Sequence, residues 1–153
     1  MPNKINNSRI SLKQKLVNTL MNSGNKRTGE KILVKSLKLL QKSTVKKHIN
    51  LIQLAVINAT PTFKVNQQLS KKGKRKSKKD IPTFITNDSL RIMLSLKFIK
   101  TASTKNQSST CFYENLTQEI LASSTLKSQS VEKKNELQKR TLINKRYLSK
   151  FRW

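Results

Sequence analysis

The feature that most constrains this chain is its charge, because 33 Lys and Arg residues stand against only seven Asp and Glu residues. The formal net charge is +26 over 153 residues. Such a chain repels itself in a compact state, so its fold is expected to rely on a large polyanion for neutralisation. Nucleic acid, which carries one negative charge per phosphate, is the partner that this imbalance favours.

Length and apolar content predict a single domain with a thin core. The chain is long enough for one domain, or for one domain with an arm. Hydrophobic residues make up 35% of it, which is below the usual ~45–50% that includes Gly. No apolar run in the sequence approaches the ~20 residues that span a bilayer, so we expect no membrane partner.

Apolar residues recur at helical spacing in six segments. The first helix is predicted from about Ser11 to a stop at Gly24, and the polar, basic residues 1–10 before it are predicted to form a flexible arm. The fourth helix is the one that we expect at the centre. The buried stripes predicted for the six helices are Leu12, Leu16 and Leu20; Leu33, Leu37 and Leu40; Ile49, Ile52, Val56 and Ala59; Leu90, Met93, Leu94, Leu96 and Phe98; Phe112, Leu116 and Ile120; and Ile143, Tyr147 and Phe151.

Between the third and fourth helices the period changes to two, which predicts strands. The alternating residues are Phe63, Val65, Gln67 and Leu69, and then Ile81, Thr83 and Ile85. Between these runs, seven of the nine residues 71–79 are Lys or Arg. We therefore predict a mainly α fold, in which residues 11–153 form a six-helix bundle-like domain with a β-hairpin inserted at about 62–86.

Two basic segments are candidate RNA contacts, and each has a plainer interpretation. The run 71–79 could be a solvated loop or a nuclear-targeting patch, but its place on a hairpin favours phosphate contact. Lys26 and Arg27 open the second helix, where free backbone N–H groups and the helix dipole favour an anion, although a simple surface turn is equally consistent with the sequence.

The chain is predicted not to be an enzyme. His48 is the only histidine, and we expect a solvent or backbone partner for it. The seven acidic residues are scattered singly, mostly near helix starts or beside lysines, which indicates structural use. Cys111 is the only cysteine and is predicted to be a small half-buried residue. We expect no metal, no cofactor and no small-molecule substrate.

Several local strings, in this order and spacing, resemble the small-subunit ribosomal protein seven family of the bacterial type. The likeness covers about residues 12–153, and the closing aromatic-Arg-Trp is its most specific part. The hairpin tip departs from the family because it carries lysines in place of paired glycines. The strings are Leu16 to Met21, Gly24 to Thr28 with Glu30, Pro61 to Val65, Ile81-Pro82, Arg91, Leu96 to Ile99, Leu116, Gln118 to Ile120, Val131, Lys133-Lys134, Asn144-Lys145 and Phe151-Arg152-Trp153.

The resemblance implies a structural constituent of the small ribosomal subunit. Such a protein binds a multi-helix junction in the head, or 3′ major domain, of small-subunit ribosomal RNA and nucleates head assembly. It contacts neighbouring ribosomal proteins, and its hairpin lies near the messenger exit path and the exit-site transfer RNA. The residues expected to contact ribosomal RNA are Lys4, Arg9, Lys26, Arg27, Lys71, Lys72, Lys74, Arg75, Lys76, Lys78, Lys79, Arg91, Lys97, Lys133, Lys134, Lys139, Arg140, Lys145 and Arg152.

Amino-acid usage suggests where the gene resides. Asn occurs 14 times and Ile 12 times, whereas Ala occurs four times. Lys, Asn and Ile have A/T-rich codons, which is typical of organellar genomes. We therefore expect the mitochondrial matrix, with a plastid or a bacterial cytoplasm as alternatives.

Two other functions fit a strongly basic chain. A nucleoid-like packaging protein would bind duplex DNA as well as structured RNA and would not need the hairpin. A basic amphipathic protein on a membrane surface would carry helices with a continuous aliphatic face and no packed partner. The matching stripes of six helices argue against this last interpretation.

Overall fold

The computed structural model describes residues 4–44, 47–72, 75–105 and 111–145; of residues 4–11, 68–72 and 75–79 it describes the backbone only. Within these ranges six helices enclose a core, and one antiparallel hairpin follows the third helix. The predicted fold class is confirmed. In chain order the elements are α1 (Lys4–Leu20), α2 (Lys26–Ser43), α3 (His48–Ala59), β1 (Phe63–Lys72), β2 (Arg75–Phe84), α4 (Asp88–Lys105), α5 (Phe112–Ser124) and α6 (Gln129–Ile143).

The first helix begins at Lys4 rather than near Ser11, so it includes most of the segment that was predicted as an arm. The residues before Leu12 show no apolar period, but they contain no Gly or Pro after Pro2. Once a helix is nucleated by its packed end, each added residue costs little, so it continues into a polar stretch. The turn after α1 uses left-handed backbone at Ser23 (φ 50°) and Gly24 (φ 77°), as the glycine stop predicted.

The core lies where α4 and α5 meet the other helices. α4 packs against α1, α3, α5 and α6, while α5 packs against α2, α3, α4 and α6, so the two helices share the central position predicted for α4 alone. Leu40, Leu96 and Leu116 are the largest apolar side chains that are fully buried. Most of the predicted stripe residues in the described region join this cluster or pack against it.

Small buried residues allow the helices to approach closely. Ser36 and Ser103 are completely buried, and their hydroxyls donate to Leu33 O (2.9 Å) and Ile99 O (2.8 Å) of their own helices. Gly29 lies where α2 crosses α1, and a Cβ at this position would stand 3.1 Å from Val17 O. Close packing of backbones therefore compensates in part for the low apolar content.

Three apolar positions differ from the prediction because they face solvent. Ile49 is 47% exposed, and Leu51 and Ala55 take its place in the buried face of α3. Leu90 is also exposed, and α6 ends at Ile143, which is 79% exposed. A helix with apolar residues on all sides gives no unique face from periodicity alone, which explains the error in α3. The predicted partners Tyr147 and Phe151 lie outside the described residues.

The end of α5 has a Schellman motif that places a bulky residue in a left-handed conformation. Lys127 N donates to Ala122 O (3.0 Å) and Leu126 N donates to Ser123 O (3.2 Å), while Leu126 has φ 64°. Glycine is the usual residue at this position because a Cβ is strained there. Leu126 is 61% exposed, so its side chain contributes little packing.

We expect Leu126→Gly to raise the free energy of unfolding by about 0.5–1 kcal/mol, since relief of the strain exceeds the added entropy of the unfolded chain. Urea unfolding followed by circular dichroism measures this change. Leu126→Ala is the matched control because it removes the same side chain and keeps the Cβ. Equal stabilisation by both substitutions would show that the strain is not the cause.

Candidate nucleic-acid interface

The hairpin is anchored at its base and basic further along. β1 packs against α6, and the rings of Phe63 and Phe84 meet edge to face with centroids 5.8 Å apart. Pro82 and Ile85, on either side of Phe84 in the chain, are buried. A strand of ten residues spans about 33 Å, so the paired strands extend well beyond this anchored base.

The register of the hairpin brings like charges together. Lys71 lies opposite Lys76, and Lys72 lies opposite Arg75. Like charges directly across a strand pair destabilise it, and no acidic residue of the run offsets them. The other predicted basic residues of β2, Lys78 and Lys79, face Leu69 and Gln68. Lys74 lies outside the described residues, as does Arg152 near the end of the chain.

The start of α2 carries two exposed basic residues that the sequence predicted. Lys26 Nζ lies 3.9 Å from Glu30 Oε1, and Arg27 is exposed beside it. The helix is capped by Asn25, whose Oδ1 accepts from Thr28 N at 3.3 Å, so one of the free N–H groups already has a partner. This arrangement favours phosphate contact through the two side chains rather than through the bare helix end.

Two predicted contact residues of α6 bind within the protein. Lys133 Nζ donates to Thr101 Oγ1 at 2.5 Å, and Lys134 Nζ donates to Asn58 O at 2.8 Å near the end of α3. Burial, with the positive charge of Lys105, lowers the pKa of Lys133. Lys100 also bonds to another helix, because its Nζ donates to Thr19 O of α1 at 2.7 Å. These lysines hold helices together.

The remaining predicted residues of α6 and α4 lie at the surface. Lys139 and Arg140 are exposed on α6, Lys145 is exposed just after it, and Lys97 is exposed on α4. Arg91 is half-buried, with Nη1 3.4 Å from Asp88 Oδ1. The backbone at Lys4 and Arg9 is helical.

Arg91 borders a groove that the sequence did not predict. Its Nε is buried and has no hydrogen-bond partner among the described residues. The groove, about 490 Å³ in volume, lies between the end of α3, the start of α4 and the middle of α6, and Asp88 and Lys134 also line it. A guanidinium that retains an unused donor is able to take a further acceptor.

Sequence reasoning also missed a row of lysines on α2. Lys31, Lys35, Lys38 and Lys42 are all exposed, and Lys35 Nζ lies 5.2 Å from the centroid of the Tyr113 ring. The signal was present in the printed sequence, because these lysines recur at intervals of three and four residues. Among 33 Lys and Arg residues, lysines at this spacing do not stand out until the buried face of the helix is known.

One acidic residue is buried and has a structural role that its place in the sequence did not indicate. Glu119 is only 2% exposed, and its Oε1 accepts from Ser130 N at 3.1 Å in the first turn of α6. Ser128 Oγ caps the same turn by accepting from Val131 N at 3.2 Å. The predicted structural use of the acids therefore includes the joint between α5 and α6.

The described ranges contain no candidate metal centre. His48 Nδ1 lies 3.3 Å from Gln41 Nε2, so this ring nitrogen has a side-chain partner, whereas the prediction was a solvent or backbone partner. Cys111 is half-buried, as predicted. Across those ranges there is no cluster of three His, Cys, Asp or Glu side chains that could hold a metal ion. None of the helices described has the length and apolar character to cross a membrane.

Comparison with known proteins identifies the family of this chain. The profile of the family described as ribosomal protein S7p/S5e matches residues 1–145. A small ribosomal subunit protein uS7c of Bigelowiella natans is 29% identical over 134 residues, which cover 86% of this chain and 80% of that protein. A small ribosomal subunit protein uS7c of Euglena longa is 31% identical over 137 residues, which cover 88% of this chain and 74% of that protein. The chain therefore belongs to the S7p/S5e family of ribosomal proteins, which are non-enzymatic, RNA-binding structural constituents of the small ribosomal subunit.

Proposed function

We propose that this protein binds a multi-helix junction in the head, or 3′ major domain, of small-subunit ribosomal RNA and nucleates assembly of that region. The observation that carries the proposal is the anchored hairpin with like charges paired across its strands. Such pairs are unfavourable in the free protein and favourable once phosphates lie between or beside them. A hairpin that extends from a packed base suits insertion between RNA helices.

The mechanism is electrostatic clamping by charges that a rigid scaffold holds in register. Lysines act as point charges that bind phosphates without reading base sequence. Double-stranded RNA is recognised mainly by its shape and its backbone, so the arrangement of charges decides where the protein binds. Neighbouring ribosomal proteins complete the head around this first contact, and the hairpin lies near the messenger exit path and the exit-site transfer RNA.

The residues that we propose contact phosphate are those predicted from the sequence, and they contribute unequally to RNA binding. Lys133 and Lys134 already have partners within the protein, so their contribution to binding is smaller than that of their exposed neighbours. The exposed or strand-borne basic residues carry most of the contact. They are Lys26, Arg27, Lys71, Lys72, Arg75, Lys76, Lys78, Lys79, Lys97, Lys139, Arg140 and Lys145, with Arg91 at the groove; Lys4, Arg9, Lys74 and Arg152 extend the set.

The compartment that we propose is an organellar ribosome, in the mitochondrion or alternatively in a plastid. The abundance of Lys, Asn and Ile supports an A/T-rich organellar genome. Both relatives carry the name uS7c, which also supports an organellar ribosome.

Crosslinking of the protein to RNA in intact cells, followed by sequencing, tests this function. We expect reads concentrated on one junction in the head of the small-subunit RNA, because the clamp fits only where RNA helices converge. The sequence of those reads also identifies the genome and therefore the compartment. A sample without irradiation and an unrelated basic RNA-binding protein serve as controls. Diffuse reads, or recovery of more DNA than RNA, would support nucleic-acid packaging instead.

A further inference from the structure

The solvent face of α2 is a continuous basic stripe, formed by Arg27, Lys31, Lys35, Lys38 and Lys42, and it is here called the α2 stripe. At 3.6 residues per turn these five residues fall within an arc of about 80°, and they span about 22 Å along the helix. They lie opposite the buried face of the helix, so all five point away from the core. A groove of about 420 Å³ follows four of them.

All five side chains of the α2 stripe carry a positive charge. Glu30 is the only acidic residue of α2, and it lies at the edge of the stripe beside Lys26. Like charges at i,i+4, such as Arg27 with Lys31, destabilise an isolated helix. The exposed face of α6, by contrast, carries Glu132 and Glu136 as well as Lys139 and Arg140. Repulsion between these like charges therefore destabilises α2 in the free protein, and an anionic partner would relieve it.

The α2 stripe and the hairpin are carried by elements that are not direct neighbours in the fold. α2 packs against α1, α3 and α5, whereas the hairpin strand β1 packs against α6. The stripe is opposite the buried face of α2, and at its edge Lys35 Nζ lies 5.2 Å from the centroid of the Tyr113 ring on α5. α2 has neither β1 nor α6 among its main neighbours, so the stripe and the hairpin form separate surfaces.

From these observations we infer that the α2 stripe is a second RNA-binding face, which takes the phosphate backbone of a double-stranded RNA segment distinct from the one at the hairpin. This inference rests on the proposed function and deepens it, since the protein then bridges two RNA segments. The stripe repeats a charge about every 6 Å, the rise of four helical residues, which suits a row of phosphates. Val34 is the only exposed apolar residue among these charges, so the face lacks the aromatic or apolar anchors typical of protein interfaces.

A matched pair of full-length variants tests the inference. The first replaces Lys31, Lys35, Lys38 and Lys42 by Gln, which has nearly the helix propensity of Lys. The control replaces four other exposed lysines by Gln, namely Lys13, Lys47, Lys105 and Lys127. Both variants lose the same charge, so they differ only in where the charge is removed.

Binding to a transcript of the small-subunit head RNA is measured at several salt concentrations. For the α2 variant we expect the slope of log affinity against log salt to become shallower by about 3, since each lost phosphate contact removes roughly 0.7–0.9. We expect its affinity near physiological salt to fall at least about tenfold. The control should change the slope by less than about 1. Equal changes in the two variants would overturn the inference, because they would reflect total charge alone.

A second measurement does not depend on the folding of any variant. Lysines of the wild-type protein are acylated with and without bound RNA, and their modification is quantified by mass spectrometry. RNA should protect Lys31, Lys38 and Lys42, while Lys13 and Lys127 keep their reactivity. Full reactivity of the α2 stripe in the complex would refute the inference, as would protection that appears only when a neighbouring ribosomal protein is added. Failure of the proposed function is seen separately, as a wild-type protein that does not prefer head RNA over an unrelated structured RNA of equal length.

Discussion

The affinity of this protein for small-subunit ribosomal RNA is expected to fall by about 10³- to 10⁵-fold when salt is raised from 50 to 200 mM, the range typical of six to ten phosphate contacts. The reason is that each lysine or arginine bound to a phosphate releases a condensed counterion, and this release is less favourable at high salt. The formal net charge of +26 and the exposed positions of most basic residues favour such a mechanism. Filter binding or fluorescence anisotropy with labelled head RNA measures the effect.

The control for this experiment is a random-sequence RNA of equal length. Its affinity should be lower and should show a similar dependence on salt, because non-specific binding uses the same phosphate contacts. The ratio of the two affinities then reports recognition of the junction by shape. A nearly flat response to salt would contradict electrostatic clamping, and it would shift the explanation toward base stacking or apolar contacts.

The fold was predictable because local signals agree along most of the chain. Gly24 and Pro61 stop helices, the change of period between Phe63 and Ile85 indicates strands, and the apolar spacing recurs in six segments. The start of α1 was placed too late because a polar stretch gives no apolar period even where it is helical. The exposure of Ile49 could not be predicted, since periodicity does not define a buried face in a helix without charged residues.

The candidate site was predictable as a chemical class and only partly by residue. A charge run identifies a polyanion-binding surface, but it does not tell which lysines are used inside the fold. Lys100, Lys133 and Lys134 bond to carbonyl or hydroxyl oxygens of other helices, and such tertiary contacts leave no pattern in the sequence. The same holds for Glu119, whose partner Ser130 lies in the next helix.

These internal contacts explain how a thin core holds six helices together. The apolar cluster is supplemented by lysines that donate to main-chain carbonyls, by buried serines and by the carboxylate at the α5–α6 joint. A typical hydrogen bond adds only about 0.5–1.5 kcal/mol, and more when one partner is charged. The stability of the free protein therefore depends strongly on each large residue of the cluster.

We expect Leu116→Ala to lower the free energy of unfolding by about 2–5 kcal/mol. Leu116 is 1% exposed and lies on α5, which packs against α2, α3, α4 and α6. Truncation removes buried apolar area and leaves a cavity that four neighbouring helices cannot all close. Urea unfolding followed by circular dichroism, with added salt to screen the charges, measures the loss. Leu142→Ala is the control, because Leu142 is 67% exposed and its truncation should change stability by less than about 0.5 kcal/mol.

RNA should restore much of the stability that Leu116→Ala removes, because a ligand that binds only the folded state stabilises it by mass action. At a free RNA concentration of 100 times Kd the gain is about 2.7 kcal/mol, similar to the loss expected from the cavity. The variant should therefore be largely unfolded alone and protected from proteolysis when head RNA is present. If Leu116→Ala and Leu142→Ala unfold at the same urea concentration, the core placed around α5 is wrong. If RNA fails to rescue a variant that is unfolded alone, folding and RNA binding are not coupled in this protein.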